Sequence, residues 1–269
     1  MGADYYPHMR LRPLKLAAFV VSAGLAGGSA LLSQTATVGA GKPDATAQVP
    51  FVGCASDGQV GPLKAPTGLP MAVTIPAETA HRLAYYKAEN GFGVLAPRGW
   101  HCFSTQGSDG SNLFVSADAV ETTHVFSPDW KGLAGEAVQV AVSYGGTSGR
   151  FAVARTIARV FPDFKAFTQQ VIAEGIEPAS SFPSGPYPQD KLTYVDKKTV
   201  EFETPANTKG LGTDSRLQID ASPIQGVAVL FGSEMDLVQL SVRLSEKDRD
   251  LVRPIIGRIE GEVAGSAAQ

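Results

Sequence analysis

The residues with the most chemical promise stand between Tyr144 and Arg150. Gly145, Gly146, Thr147, Ser148 and Gly149 interrupt an alternating apolar stretch, and Arg150 opens a helical pattern immediately after them. A glycine-rich strand-to-helix turn of this kind presents backbone N–H groups at the positive end of a helix, which suits an anion. Arg150, Arg155 and Arg159 lie on or beside that helix and deepen the positive site. The ligand-binding set read from the sequence is therefore Gly145, Gly146, Thr147, Ser148, Gly149 and Arg150. The loop lacks the lysine and spacing of a P-loop, and it is not a G-x-G-x-x-G turn. A plainer reading makes it a tight turn with Thr147 or Ser148 as the helix cap and the arginines solvated.

Ser148 also invites a hydrolase reading. A nucleophile elbow needs Gly-x-Ser-x-Gly, whereas Arg150 fills the last position here. A base would have to come from His81, His101 or His124, and no complete catalytic constellation is present. No cofactor and no metal site is implied. The histidines are not spaced at i, i+4, and Asp109 to Asn112 lacks the carboxylate series of a calcium loop and reads as a hairpin turn. Tyr85 and Tyr86, with Trp100 and Trp130, offer an aromatic patch for a protein partner, or else pack against the core and the helix edge.

The two cysteines, Cys54 and Cys102, have neither redox nor zinc spacing and read as a disulfide, the default for an exported chain. Export follows from the N-terminus. A basic segment ends at Lys15, an uncharged stretch runs from Leu16 to Leu32, and Val38-Gly39-Ala40 supplies a small-x-small cleavage site. Phe51 and the distance of Cys54 from the apolar stretch argue against a lipoprotein site. Residues 1–40 are thus expected to be a signal peptide, with no membrane span after its cleavage and a periplasmic or secreted destination. The formal charge is −3. Removing Asp4, Arg10, Arg12 and Lys15 with the signal makes the remainder more acidic still. A chain with no basic run cannot release counterions from a phosphate backbone, which excludes nucleic acid.

The elements that must position these residues are legible from periodicity. Residues 41–75 are dense in Gly, Pro and Ala and read as a loop-rich linker. A helix is expected from Pro76 to Asn90, then extended chain from Phe92 to Phe103, broken at Pro97 to Gly99, and a short strand from Asn112 to Ser116. Ala137 to Tyr144 alternates, with Val138, Val140 and Val142 opposed to Gln139 and Ser143. Helices follow to about Val160 and from Asp163 to Gly175, separated by Pro162. Residues 177–190 carry four prolines and read as surface loop. Thr199–Thr204, Gly226–Phe231 and Leu237–Leu244 are strands, the last opposing Val238, Leu240 and Val242 to Gln239, Ser241 and Arg243. A final helix starts near Ser245 with Leu251, Ile255 and Ile259 inward, and Pro254 is placed to kink it. The fold class is α+β: a mainly antiparallel sheet with helices on one or both faces, a single domain over 76–263 and a flexible tail at 264–269.

Gly53 to Gly58 (Gly-Cys-Ala-Ser-Asp-Gly), Ala96 to Cys102 (Ala-Pro-Arg-Gly-Trp-His-Cys) and Tyr144 to Phe151 (Tyr-Gly-Gly-Thr-Ser-Gly-Arg-Phe) resemble segments of exported bacterial proteins of unknown function. That resemblance brings no activity with it. The Pro97 to Trp100 element is similar to one in the PsbP-like α/β/α sandwich, whose members mostly act as binding or assembly factors. The sequence expectation is an exported, non-enzymatic binding module of the cell envelope for a protein or a small anionic ligand. The alternatives are an envelope serine hydrolase using Ser148, and an inhibitor or immunity protein against an envelope-acting toxin.

Overall fold

The computed structural model describes residues 46–266, so the expected signal peptide at 1–40 and its cleavage site lie outside the described residues. The elements in chain order are β1 (Thr46–Val49), β2 (Phe51–Gly53), β3 (Ser56–Gly58), β4 (Met71–Thr74), α1 (Ala77–Arg82), β5 (Leu83–Lys87), β6 (Val94–Pro97), β7 (His101–Gly107) and β8 (Gly110–Ser116). Then come β9 (Ala137–Ser143), α2 (Arg150–Val160), α3 (Lys165–Ala173), β10 (Lys191–Tyr194), β11 (Thr199–Thr204), β12 (Ile224–Phe231), β13 (Asp236–Arg243) and α4 (Val252–Ser266). The class is α+β. Eight strands form the main sheet in the order β10-β11-β12-β13-β9-β8-β7-β3, antiparallel throughout except for β3 beside β7.

Both faces of this sheet are covered. On one face Val138, Val140 and Val142 of β9 and Val238, Leu240 and Val242 of β13 pack with the apolar stripe of α4, Leu83 and Tyr86 of β5, and Leu95 of β6. On the other, Phe114, Ala137, Ala228 and Leu230 meet Val153, Ile157 and Val160 of α2. Apolar residues at alternate strand positions satisfy the first face and those at a helical period satisfy α2 and α4. Pro254 sits in the first turn of α4, where its missing N–H breaks no helical bond.

Cys54 and Cys102 are bonded, with Sγ atoms 2.04 Å apart. Cys54 lies between β2, in a three-stranded sheet with β5 and β6, and β3, at the edge of the main sheet. The bond therefore fastens the small sheet to the large one.

Three expectations need correction. The helix read over 76–90 stops at Arg82, and Leu83–Lys87 is a strand paired with β6 and β2. Helical spacing there was outcompeted by sheet pairing of a Leu-Ala-Tyr-Tyr run, whose aromatic residues suit a pleated, buried surface. As a result Tyr85 and Tyr86 are 4% and 0% exposed and offer no surface patch. The segment read as a linker over 41–75 holds β1 to β4, strands of three or four residues that are too short to show periodicity. The tail expected from residue 264 is helical through Ser266, anchored by buried Val263.

Candidate functional site

Two of the glycines between Tyr144 and Arg150 have a local cause. A side chain on Gly145 would come 1.9 Å from the Glu234 carbonyl oxygen at the β12–β13 turn, and one on Gly149 would come 2.1 Å from that of Asp109 at the β7–β8 turn. The loop is wedged between two hairpin tips, which only glycine permits. Its donors are largely occupied. Gly145 N–H donates to the Asp236 carboxylate (2.8 Å), Gly149 N–H to Thr147 Oγ1 (3.2 Å) and Thr147 N–H to the Tyr144 carbonyl (3.2 Å). The Arg150 guanidinium donates to both carboxylate oxygens of Glu174 (2.7–3.0 Å) and to the Thr147 carbonyl (2.8 Å). The residue that precedes α2 is Gly149, whose N–H the Thr147 hydroxyl accepts, and Ser148 is exposed.

A cavity lies one step away, between α2 and the sheet, with a volume of about 580 Å³, inside the range of roughly 300–1,000 Å³ usual for small-molecule sites. Strand register builds its floor. Gln239 of β13 stands opposite Ala141 of β9, Ala141 opposite Asn112 of β8, and Asn112 opposite Thr105 of β7. Gln139 lies two residues along β9 on the same face. These positions alternate with the valines and leucines of the core, so their side chains point to the α2 side. An alternation of this kind usually marks one solvated face; here helices and loops cover the polar set. Gln139 and Gln239 are 2% and 8% exposed.

The floor amides are held in register by hydrogen bonds. Gln139 Nε2 donates to Asn112 Oδ1 (2.9 Å), and Gln139 Oε1 accepts from the Arg216 N–H (2.6 Å). Gln239 Nε2 donates to the Leu211 carbonyl (3.0 Å), while among the described residues its Oε1 has no hydrogen-bond donor. The rim carries Arg155 and Arg159 of α2, Tyr187, Lys209, Asp214 and Arg216. Arg155 is paired with Glu177 (2.8 Å). Arg159 instead lies over the Tyr187 ring at 4.0 Å and donates to the Gly185 carbonyl (3.1 Å), and Arg216 lies over Trp130 at 5.7 Å. Among the described residues, none of Arg159, Lys209 and Arg216 forms an ion pair. Tyr187 donates to Asp214 at 2.7 Å. Burial first, and then that carboxylate, push the Tyr187 hydroxyl up to about 12 against the pull of Arg159, so it stays a protonated donor at neutral pH.

One buried residue supports the rim from beneath. Arg243, 1% exposed, sits at the end of β13 on the same face. It donates to the carbonyls of Gly135 and Gln218 and to that of Leu133 at 2.8 Å, with Asp220 4.0 Å away. Burial lowers its pKa and Asp220 raises it. These contacts clamp two loops that carry Trp130 and Arg216.

Of the residues singled out in the sequence, the structure brings Ser148 and Gly149, together with Arg155, to a side lobe of about 290 Å³ that shares Asp109 and Asn112 with the main cavity. Gly145, Gly146, Thr147 and Arg150 do not line either. No histidine is hydrogen-bonded to Ser148 among the described residues, and His101 sits opposite Ser116, at the far end of a strand spanning about 20 Å. Among the described residues no group of three or more His, Cys, Asp or Glu is placed to hold a metal ion, and no helix is long and apolar enough to cross a membrane. Asn112, Gln139, Gln239, Tyr187, Lys209 and Arg216 escaped the sequence reading. Uncharged amides at alternate positions of otherwise apolar strands were the available signal, because a freely solvated strand face more commonly carries Lys and Glu. No family model, no curated protein and no solved structure matches the chain.

Proposed function

We propose that the protein is an exported, non-enzymatic binding module and that the cleft between α2 and the sheet holds an anionic ligand. The observation that carries this reading is the meeting of three cations that form no ion pair among the described residues, Arg159, Lys209 and Arg216, with buried floor amides in one cavity. In an acidic chain, cations gathered around a concave, partly desolvated surface focus positive potential where an anion can reach it. The amides supply direction: Gln239 Oε1 accepts and the Asn112 and Gln139 amides can donate. The signal-like N-terminus and the disulfide support export, since such bonds persist in oxidising compartments. The expected anion site moves from the 145–150 loop to the neighbouring cleft because the N–H groups of Gly145, Thr147 and Gly149 and the Arg150 guanidinium are already engaged. Ser148 and Gly149 line only the side lobe that adjoins it.

The test is a thermal-shift titration with phosphate, citrate and glucuronate on the oxidised protein and on Arg159→Ala and Lys209→Ala. A ligand at about a hundred times its Kd stabilises the folded state by about 2.7 kcal/mol, a Tm rise of roughly 5–11 °C for a domain of this size. The rise should shrink in both variants and persist in Arg150→Ala. A rise abolished by Arg150→Ala and kept in the other two would return the site to the loop.

A further inference from the structure

We infer that the cleft is the centre of a longer groove shaped for an acidic oligosaccharide; this rests on the anion-binding reading above and specifies its ligand. Three cavities, of about 580, 290 and 210 Å³, all include Asp109 and Asn112. The first is the cationic cleft and the second reaches Ser148. The third runs the other way to Phe126 and Trp130. The floor row Gln239–Ala141–Asn112–Thr105 crosses four strands, about 14 Å at the usual inter-strand spacing. That span exceeds what a simple anion or a single sugar ring needs.

The chemistry along the groove selects the class. Neutral side-chain amides at the centre, with the Asp109 and Asp214 carboxylates beside them, are acceptors and donors for hydroxyl groups. Phe126, 54% exposed, and Trp130, half-buried with its ring edge-on to Phe114 at 5.4 Å, supply apolar surface at one end, where the C–H face of a sugar ring can lie. Arg159, Lys209 and Arg216 answer the carboxylates of the chain. An extended peptide fits less well. It is held chiefly by main-chain hydrogen bonds at a free sheet edge, yet each of β13, β9, β8 and β7 is paired on both sides, so the floor offers side chains and no unpaired backbone.

The experiment is calorimetric titration of the oxidised protein with galacturonic acid, tetragalacturonate, the neutral tetrasaccharide cellotetraose and a tetraglutamate peptide, using wild type, Arg159→Ala and Phe126→Ala. Phe126 is exposed, so its removal leaves folding intact, and Arg98→Ala, outside the groove, is the control. The groove predicts tetragalacturonate binding at least about tenfold tighter than the monomer. Phe126→Ala should remove most of that gain without changing monomer affinity, and Arg159→Ala should weaken both. If monomer and tetramer bind alike and both depend on Arg159, the extended groove is wrong and the anion cleft survives. Tighter binding of tetraglutamate overturns the glycan class, and equal binding of cellotetraose overturns the requirement for acid. If no probe binds, both readings fall.

Discussion

Replacing Arg243 by methionine is the sharpest test of how the groove is held together. The side chain is buried and makes three hydrogen bonds to loop carbonyls, at Leu133, Gly135 and Gln218. Charge-assisted bonds contribute roughly 1.5 kcal/mol or more each, so together they stabilise the two loops by about 5 kcal/mol. Removal also relieves the desolvation of the guanidinium, and the Leu133 carbonyl keeps its bond from the Gln218 N–H. The net loss should be about 3 kcal/mol, the low end of what breaking a buried charged contact costs. For a domain of this size that is a fall in Tm of roughly 6–12 °C. Hydrogen exchange then locates the loss. The amides of Leu133, which donates to the Arg216 carbonyl, and of Gln218 should exchange faster, while Val140 in the sheet interior changes only with global stability. A Tm shift under about 2 °C with unchanged exchange at Leu133 and Gln218 would show that Arg243 does not clamp the rim.

Three further outcomes follow from particular contacts. Opening the Cys54–Cys102 bond, which spans 48 residues, should cost about 4 kcal/mol in the chain-entropy account, and Cys54→Ser/Cys102→Ser should melt lower than the oxidised protein by roughly 8–16 °C; coincident melting curves would contradict this. Glu260 has one buried oxygen without a partner among the described residues, and burial first, then the Glu201 carboxylate, raise its pKa against the pull of Arg253. The folded state therefore holds this proton more tightly than the unfolded state, and the contribution is present below the ordinary 4.5 and lost as pH rises through the raised value. Glu260→Gln should accordingly raise Tm at pH 8 and converge with wild type at pH 4; a constant offset at both would rule out titration as the cause. Among the described residues Ser148 has no histidine hydrogen-bonded to it, so a fluorophosphonate should leave the protein unlabelled; labelling lost in Ser148→Ala would establish the hydrolase alternative.

Periodicity made much of the architecture readable. The opposed sets of β9 and β13, the α2–Pro162–α3 succession and the α4 stripe are local patterns that the sheet and its layers preserve. The disulfide was readable by elimination, as the chain has two cysteines. What failed was what pairing decides. Leu83–Lys87 became a strand because β2 and β6 flank it, and β1 to β4 are short elements that gain order only from partners distant in sequence. The groove failed to show for the same reason. Its floor is made of residues from four strands, aligned by register, and its rim comes from α2 and the loops holding Trp130, Tyr187 and Arg216. The Gly145–Gly149 loop was found because glycine is conspicuous, yet two of its glycines answer first to close packing against Asp109 and Glu234.

The most direct measurement is an NMR titration of the labelled, oxidised protein with tetragalacturonate, following side-chain amide resonances. Saturable shifts of the Asn112, Gln139 and Gln239 NH₂ groups are expected, reached only at higher ligand concentration in Arg159→Ala. Shifts confined to the backbone amides of Gly146 to Arg150, or no shifts at all, would contradict a ligand site on the α2 side of the sheet.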